Sequence, residues 1–134
     1  MLIKEIQETF DSRFGGVILS FPFRIFFLLA AAYAALLIPL WLCIVFLGKP
    51  DIAPVPILIW HSHEIVFGVV AAAIAGFMLT AICTWTGCSP LTNYRLCTFV
   101  LVWLAGRIAM FFPALLNAGL VAFFDLLFFA LLFV

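Results

Sequence analysis

The sequence predicts an all-α fold: a polytopic bundle of transmembrane helices, with four spans in this chain. Three observations carry that prediction. Of 134 residues, 69% are hydrophobic and only 9% are charged, whereas a soluble domain is about 45–50% apolar and about 25% charged. The mean hydropathy is +1.39. The apolar residues fall in runs of span length, separated by short segments rich in Pro, Gly and polar residues. The formal net charge is zero, so the chain lacks the polybasic or polyacidic surface a nucleic acid would need, and the lipid bilayer is its expected partner. Seventeen Phe residues argue against a disordered chain.

Residues 1–22 form an N-terminal segment placed on the cytoplasmic side. Within it, Ile3, Ile6 and Phe10 fall at helical spacing, which predicts a short amphipathic surface helix over Met1–Gly16. Glu5, Glu8 and Asp11 ahead of the first apolar run are unlike a cleaved leader. The transmembrane region is 23–134. The charge-free run from Ile25 to Leu47 exceeds the roughly 20 residues a spanning helix requires. Gly48-Lys49-Pro50-Asp51 with Pro54 and Pro56 make an extended loop. The second helix covers about 57–82, and Gly87 and Ser89-Pro90 break the chain in the loop after it. The third helix covers about 94–116, Asn117–Gly119 is a tight turn, and a fourth apolar stretch runs over 118–134. That last stretch is at the short limit for a span and no anchor follows it, so the chain is expected to be part of something longer, or a truncated gene product.

Positive charge sets orientation. Lys4, Arg13, Arg24 and Arg95 lie on one side and Lys49 alone on the other, which predicts an inside N-terminus. Trp60 and Trp85 sit near the two ends of the second helix, where an aromatic belt would place them. Tyr33 and Pro39 in the first helix read as a packing residue and a bend.

Ionisable groups inside a span cost roughly 2.5–3.5 kcal/mol each on insertion scales and by default mark function. Five occur here: His61, His63 and Glu64 in the second helix, Arg107 in the third and Asp125 in the fourth. With the orientation above, all five lie in the outer half of the bilayer, and one polar site would gather them. At about 100° per residue, His61 and Glu64 share a helix face while His61 and His63 point to nearly opposite sides. One helix therefore cannot aim both rings at a single metal. It can offer each ring to a different centre, with Glu64 beside His61 as an acceptor or proton carrier. Imidazole is the usual side-chain ligand of haem iron and of copper; the alternative is a pair of solvated helix-end histidines. Glu64, Gly68, Ala72, Gly76 and Thr80 recur every four residues, a stripe that admits another helix or a flat macrocycle. On the third helix, Trp103, Gly106, Arg107 and Met110 share a face. Arg107 keeps its charge and needs an anion: Asp125 as an ion-pair partner, Glu64, or a haem propionate. Met110 is a core filler or an axial ligand.

Cys43, Cys83, Cys88 and Cys97 contain no C-x-x-C pair, and their spacing matches no zinc or disulfide framework. No nucleotide-binding loop, zinc-protease motif, nucleophile elbow or internal repeat is present.

The run Trp60-His61-Ser62-His63-Glu64, then Phe67-Gly68, Ala75-Gly76-Phe77-Met78-Leu79-Thr80-Ala81 and Trp85-Thr86-Gly87, resembles the NnrS family. So do Trp103-Leu104-Ala105-Gly106-Arg107 and Phe23-Arg24 followed by Phe26-Phe27-Leu28. The similarity spans about residues 21–110 in the same order. It departs at Ile25, where the family usually has Pro, and at Ile82-Cys83-Thr84, where a Pro-Asn pair commonly precedes Trp-Thr-Gly. The resemblance implies a multi-pass bacterial inner-membrane protein of about twelve helices, holding haem and copper and linked to the response to nitric oxide and to nitrosative stress. On that basis this chain is an N-terminal part whose partners are the remaining helices, and His61 and His63 are the candidate metal ligands.

Three functional expectations follow. The first is a haem- and copper-binding membrane protein that handles nitric oxide, with His61 and His63 on separate centres, Glu64 as the supporting or proton-carrying group and Arg107 as the partner of a propionate or other anion. The second is part of a proton-coupled transporter or permease, whose intramembrane charges line a proton or solute path. The third is a non-catalytic remnant.

Overall fold

A computed structural model describes residues 18–47, 55–112 and 117–133. The expected surface helix over Met1–Gly16, most of the first loop and Pro113 lie outside these residues. Among the described residues every regular element is a helix: α1 (Pro22–Phe46), α2 (Ile57–Thr86), α3 (Asn93–Phe111) and α4 (Ala118–Leu132). Helices α1, α2 and Tyr94–Phe111 of α3 are long and apolar enough to cross a membrane. α4 is equally apolar, but its described 15 residues reach about 22 Å, short of a hydrocarbon core of about 30 Å.

Each helix starts and stops for a local reason. α1 opens with Pro22 in its first turn, where the missing N–H costs no hydrogen bond. This is three residues ahead of the charge-free run, because Arg24 fits in the first helical turn. α2 ends at Gly87, whose φ of 71° is the left-handed conformation that glycine adopts without a Cβ clash. Its N–H donates to the carbonyl of Cys83 at 3.0 Å. The helix therefore extends to Thr86, beyond the expected end near 82. α4 starts at Asn117, whose side-chain oxygen accepts from the Leu120 N–H at 3.0 Å.

The main departure from a regular bundle lies within α2. Its first turns are α-helical over Ile57–His63, a π-helix follows over Glu64–Val70, and α geometry resumes from Ala71. In an α-helix, residues four apart drift by about 40° per step, because a turn takes 3.6 residues. The wider i→i+5 turn slows that rotation. Glu64, Gly68, Ala72 and Gly76 consequently stay on one buried face.

That face belongs to α1. A Cβ built on Gly68 would lie 2.5 Å from a ring carbon of Tyr33, and one on Gly76 would lie 2.9 Å from Phe27 and 3.0 Å from Phe26. Thr80, the last member of the stripe, accepts a hydrogen bond from the Phe23 N–H at 3.1 Å. Helix packing thus uses the stripe along its length, and no room for a flat macrocycle remains between α1 and α2 there. Two apolar cores result. One gathers Phe26, Ala72, Ala75, Leu96, Trp103 and Phe128; the other gathers Leu37, Trp60, Ala109, Met110 and Val121. The outer faces carry Leu36, Leu58, Leu101 and Leu126, as suits a lipid solvent. Trp60 is not part of an aromatic belt: it is 1% exposed and packs edge-on against Phe111 at 5.5 Å, whereas Trp85 is 71% exposed.

Gly68→Ala is expected to destabilise the bundle by about 1–3 kcal/mol, the usual cost of overpacking. The cost should largely disappear in a Tyr33→Ala background, which removes the clashing ring. Thermal unfolding of the two single variants and the double variant in detergent measures that coupling; additive losses would show that the contact with Tyr33 is not the source.

Candidate functional site

Four of the five expected ionisable residues converge with Tyr33, which the sequence reads only as a packing residue. Glu64 (0% exposed) begins the π-helical segment, Arg107 (3%) lies on the buried face of α3, and Asp125 (6%) lies on that of α4. Arg107 Nη1 donates to Glu64 Oε1 at 3.1 Å, and Arg107 Nη2 donates to Asp125 Oδ1. The guanidinium therefore ties α3 to both α2 and α4. The close approach of α4 depends on Gly106, where a Cβ would stand 2.9 Å from Asp125 Oδ1.

His63 enters the same cluster from the side. Its Nδ1 lies 3.1 Å from Glu64 Oε1, and its Nε2 lies 3.0 Å from Asp125 Oδ2. The second contact is electrostatic, since Asp125 Oδ2 has no partner in hydrogen-bond geometry among the described residues. The ring stacks on Phe67, with centroids 4.6 Å apart. Two carboxylates and one guanidinium sum to one negative charge. The His63 ring, set against both carboxylates, balances that charge when it holds a second proton.

Tyr33, expected only to pack, also has a polar role. Its hydroxyl donates to Glu64 Oε2, while its ring meets Trp103 edge-on at 5.4 Å. The Trp103 indole N–H donates to the Gly68 carbonyl at 3.0 Å, which holds α3 against the π segment. In the structure Tyr33 is half-buried and falls in register with the buried Phe26, Ala30 and Leu37 of α1 at helical spacing, a register that the uniformly apolar sequence of α1 does not reveal.

His61 is elsewhere. Its ring stacks on Trp41, with centroids 4.4 Å apart, and its buried Nδ1 has no hydrogen-bond partner among the described residues. The expected divergence of the two imidazoles is present. The expected neighbourhood of Glu64 is not, since Glu64 meets His63 and not His61. The backbone is still α-helical up to this point, since the Glu64 N–H reaches the Trp60 carbonyl; Glu64 meets His63 because the two are adjacent in the chain and their side chains turn toward each other.

These positions bear on how a metal or haem could be held. His61 presents an unpaired nitrogen on an oriented ring, and the indole nitrogens of Trp41 and Trp60 are buried and likewise unpartnered among the described residues. His63 does not fit as a ligand in this arrangement, because a carboxylate stands against each of its nitrogens. Both terminal nitrogens of Arg107 are held by carboxylates, and among the described residues only its Nε lacks a partner; a propionate is not needed to balance its charge. Met110 is buried in the second apolar core. Among the described residues no group of three or more His, Cys, Asp or Glu side chains is arranged to hold a metal ion.

The sulfurs of Cys83 and Cys88 lie 2.9 Å apart at the loop end of α2, a proximity that counting the spacing did not anticipate.

The model of the NnrS protein family matches residues 17–134. The chain belongs to the NnrS family. The match takes in all four helices, and with the apolar spans it makes this NnrS-type chain a membrane protein. Neither the curated proteins nor the solved structures gave a match. In this NnrS chain the Trp60–Glu64 segment supplies one imidazole to the charged cluster and leaves the other outside it.

Arg107→Met is expected to destabilise the protein by about 3–5 kcal/mol, because it leaves two carboxylates buried without their cation. The triple variant Arg107→Met/Glu64→Gln/Asp125→Asn should recover much of that loss, since no uncompensated ion remains. Unfolding in detergent distinguishes the two; a triple variant no more stable than the single one would mean that the ion bridge contributes through shape and not through charge.

Proposed function

We propose that this chain is part of a haem- and copper-binding protein of the bacterial inner membrane that acts in the response to nitric oxide and in relief of nitrosative stress. Family membership supports the reading, and the observation that carries it to particular residues is the buried Nδ1 of His61, which has no hydrogen-bond partner among the described residues. In this proposal His61 is the ligand that α2 offers to a metal centre, with Trp41 holding its ring plane. Further ligands come from outside the described residues. A redox metal with an open coordination position supplies the chemistry of binding or reducing a diatomic molecule.

The remaining residues do work of their own. Glu64 and His63 hold and exchange a proton beside the bundle interior. Arg107 holds both carboxylates in place, and Tyr33 restrains Glu64 from the side of α1. In this reading His63 turns to a metal only if it leaves Asp125 and Glu64.

The detergent-purified protein should contain iron and copper on metal analysis and show a Soret band. His61→Ala should lose or shift that band, while His63→Ala should leave its position largely unchanged. An unchanged Soret band in His61→Ala would remove the ligand assignment, and a protein with neither iron nor copper would remove the reading as a whole.

A second reading is a proton-coupled transporter or permease segment. It is favoured by the hydrogen-bonded series of proton-exchanging groups from Tyr33 through Glu64 to His63, with Asp125 close to the far side of the His63 ring. It requires proton flux into vesicles that Glu64→Gln abolishes, in a protein free of metal.

A further inference from the structure

We propose that Cys83 and Cys88 form a reversible dithiol–disulfide site at the loop end of α2, whose exchange partner is a low-molecular-weight disulfide. The backbone builds the pair. Gly87 takes φ 71° and returns its N–H to the Cys83 carbonyl, which folds the chain back over the last helical turn. The next residue, Cys88, thereby comes to lie against Cys83, one turn earlier. The two sulfurs are 2.9 Å apart, so reaching the 2.03–2.05 Å of a disulfide needs an approach of under about 1 Å. Both thiols line a cleft of about 130 Å³ with Phe21, Thr80, Thr84 and Pro90, so a small reagent can reach them. Cys43 and Cys97 lie on α1 and α3 and have no such sulfur neighbour among the described residues.

The two thiols are not equivalent. Cys88 is exposed and Cys83 is half-buried. The Cys88 thiol donates to Cys83 Sγ, and the Cys83 thiol donates to the Ser89 carbonyl at 3.4 Å. When Cys88 loses its proton, the Cys83 S–H can turn to it, and that hydrogen bond holds the Cys88 thiol below its usual range. Cys88 is therefore the attacking sulfur and Cys83 the resolving one.

The exchange balances with a small disulfide, RSSR, as oxidant. The Cys88 thiolate attacks one sulfur of RSSR; that S–S bond breaks, and RS⁻ leaves and is protonated. Cys83 releases its proton and its sulfur attacks Cys88 Sγ; the bond from Cys88 to SR breaks, and the second RS⁻ leaves and is protonated. The two protein thiols lose two electrons, and RSSR gains them to become two RSH. The product ties the α2–α3 loop to the end of α2, beside the start of α1, where Thr80 accepts from Phe23 N–H.

The test is equilibration of the full chain in detergent or nanodiscs with glutathione and glutathione disulfide, followed by acid quenching, alkylation and peptide mass spectrometry. The wild type and a Cys43→Ser/Cys97→Ser variant should both convert to an internal Cys83–Cys88 disulfide, which excess reduced glutathione reverses. Cys83→Ser should stop at a glutathione adduct on Cys88. Cys88→Ser should form its adduct on Cys83 at least about tenfold more slowly than that. Recovery of both thiols in free form after treatment with glutathione disulfide would overturn the proposal. So would a wild-type protein that stops at a Cys88 adduct with Cys83 still free.

Discussion

A guanidinium buried in a membrane bundle has to be neutralised within the protein, and Arg107 meets that demand by bridging Glu64 on α2 and Asp125 on α4. In lipid, apolar side chains gain nothing by leaving the solvent for one another, so close packing and polar contacts decide which helix faces meet. The bridge supplies the polar contacts. Gly68 and Gly106 supply the close packing on either side of it: one admits the Tyr33 ring and the other admits the Asp125 carboxylate. The π-helical segment links the two, since it keeps Glu64 and Gly68 on the same face of α2. A change at any of these positions is felt at the others, because an ion pair that loses one partner leaves a bare charge in a low-dielectric interior.

The same bridge separates the two histidines. His63 is drawn toward the carboxylates that compensate Arg107, and its nitrogens are engaged there. His61, two residues earlier and on the other side of the helix, stacks on Trp41, and its Nδ1 has no hydrogen-bond partner among the described residues. One short segment thus presents one imidazole set between two carboxylates and one whose Nδ1 has no partner among the described residues. This asymmetry is the basis for assigning them different roles in the proposed haem- and copper-binding function. It also gives the charged cluster a standing purpose, as the frame that holds the segment in register.

Much of this was legible in the residues, and the parts that were not share a cause. Five ionisable groups in apolar spans announce a buried polar site, and a constant rotation per residue is enough to part His61 from His63. Helix phase counts residues three and four apart as neighbours, which pairs Glu64 with His61 and overlooks the adjacent His63, whose ring reaches the same carboxylate. Tyr33 reads only as a packing residue because α1 is apolar on every side: in lipid both the buried and the exposed face are greasy, and polarity does not mark that its hydroxyl faces the bundle and Glu64. Trp60 was misplaced for a related reason, as its position near a helix end suits an interface equally well until α3 brings Phe111 against it. The Cys83–Cys88 proximity depends on the left-handed turn at Gly87, which a count of spacing does not convey.

Composition alone determined that the chain lives in lipid as a set of helices, because there is too little polar surface to coat a globule and backbone groups without water must bond within each helix. The residue types also determined that a charged site would lie within the membrane and would hold Arg107 against an acid. Tertiary structure decided which acids, which histidine and which tyrosine meet there. Those choices rest on helix phase, on the π turn and on two glycine contacts, all of which are set by where neighbouring backbones come to rest and not by the order of residues along any one of them.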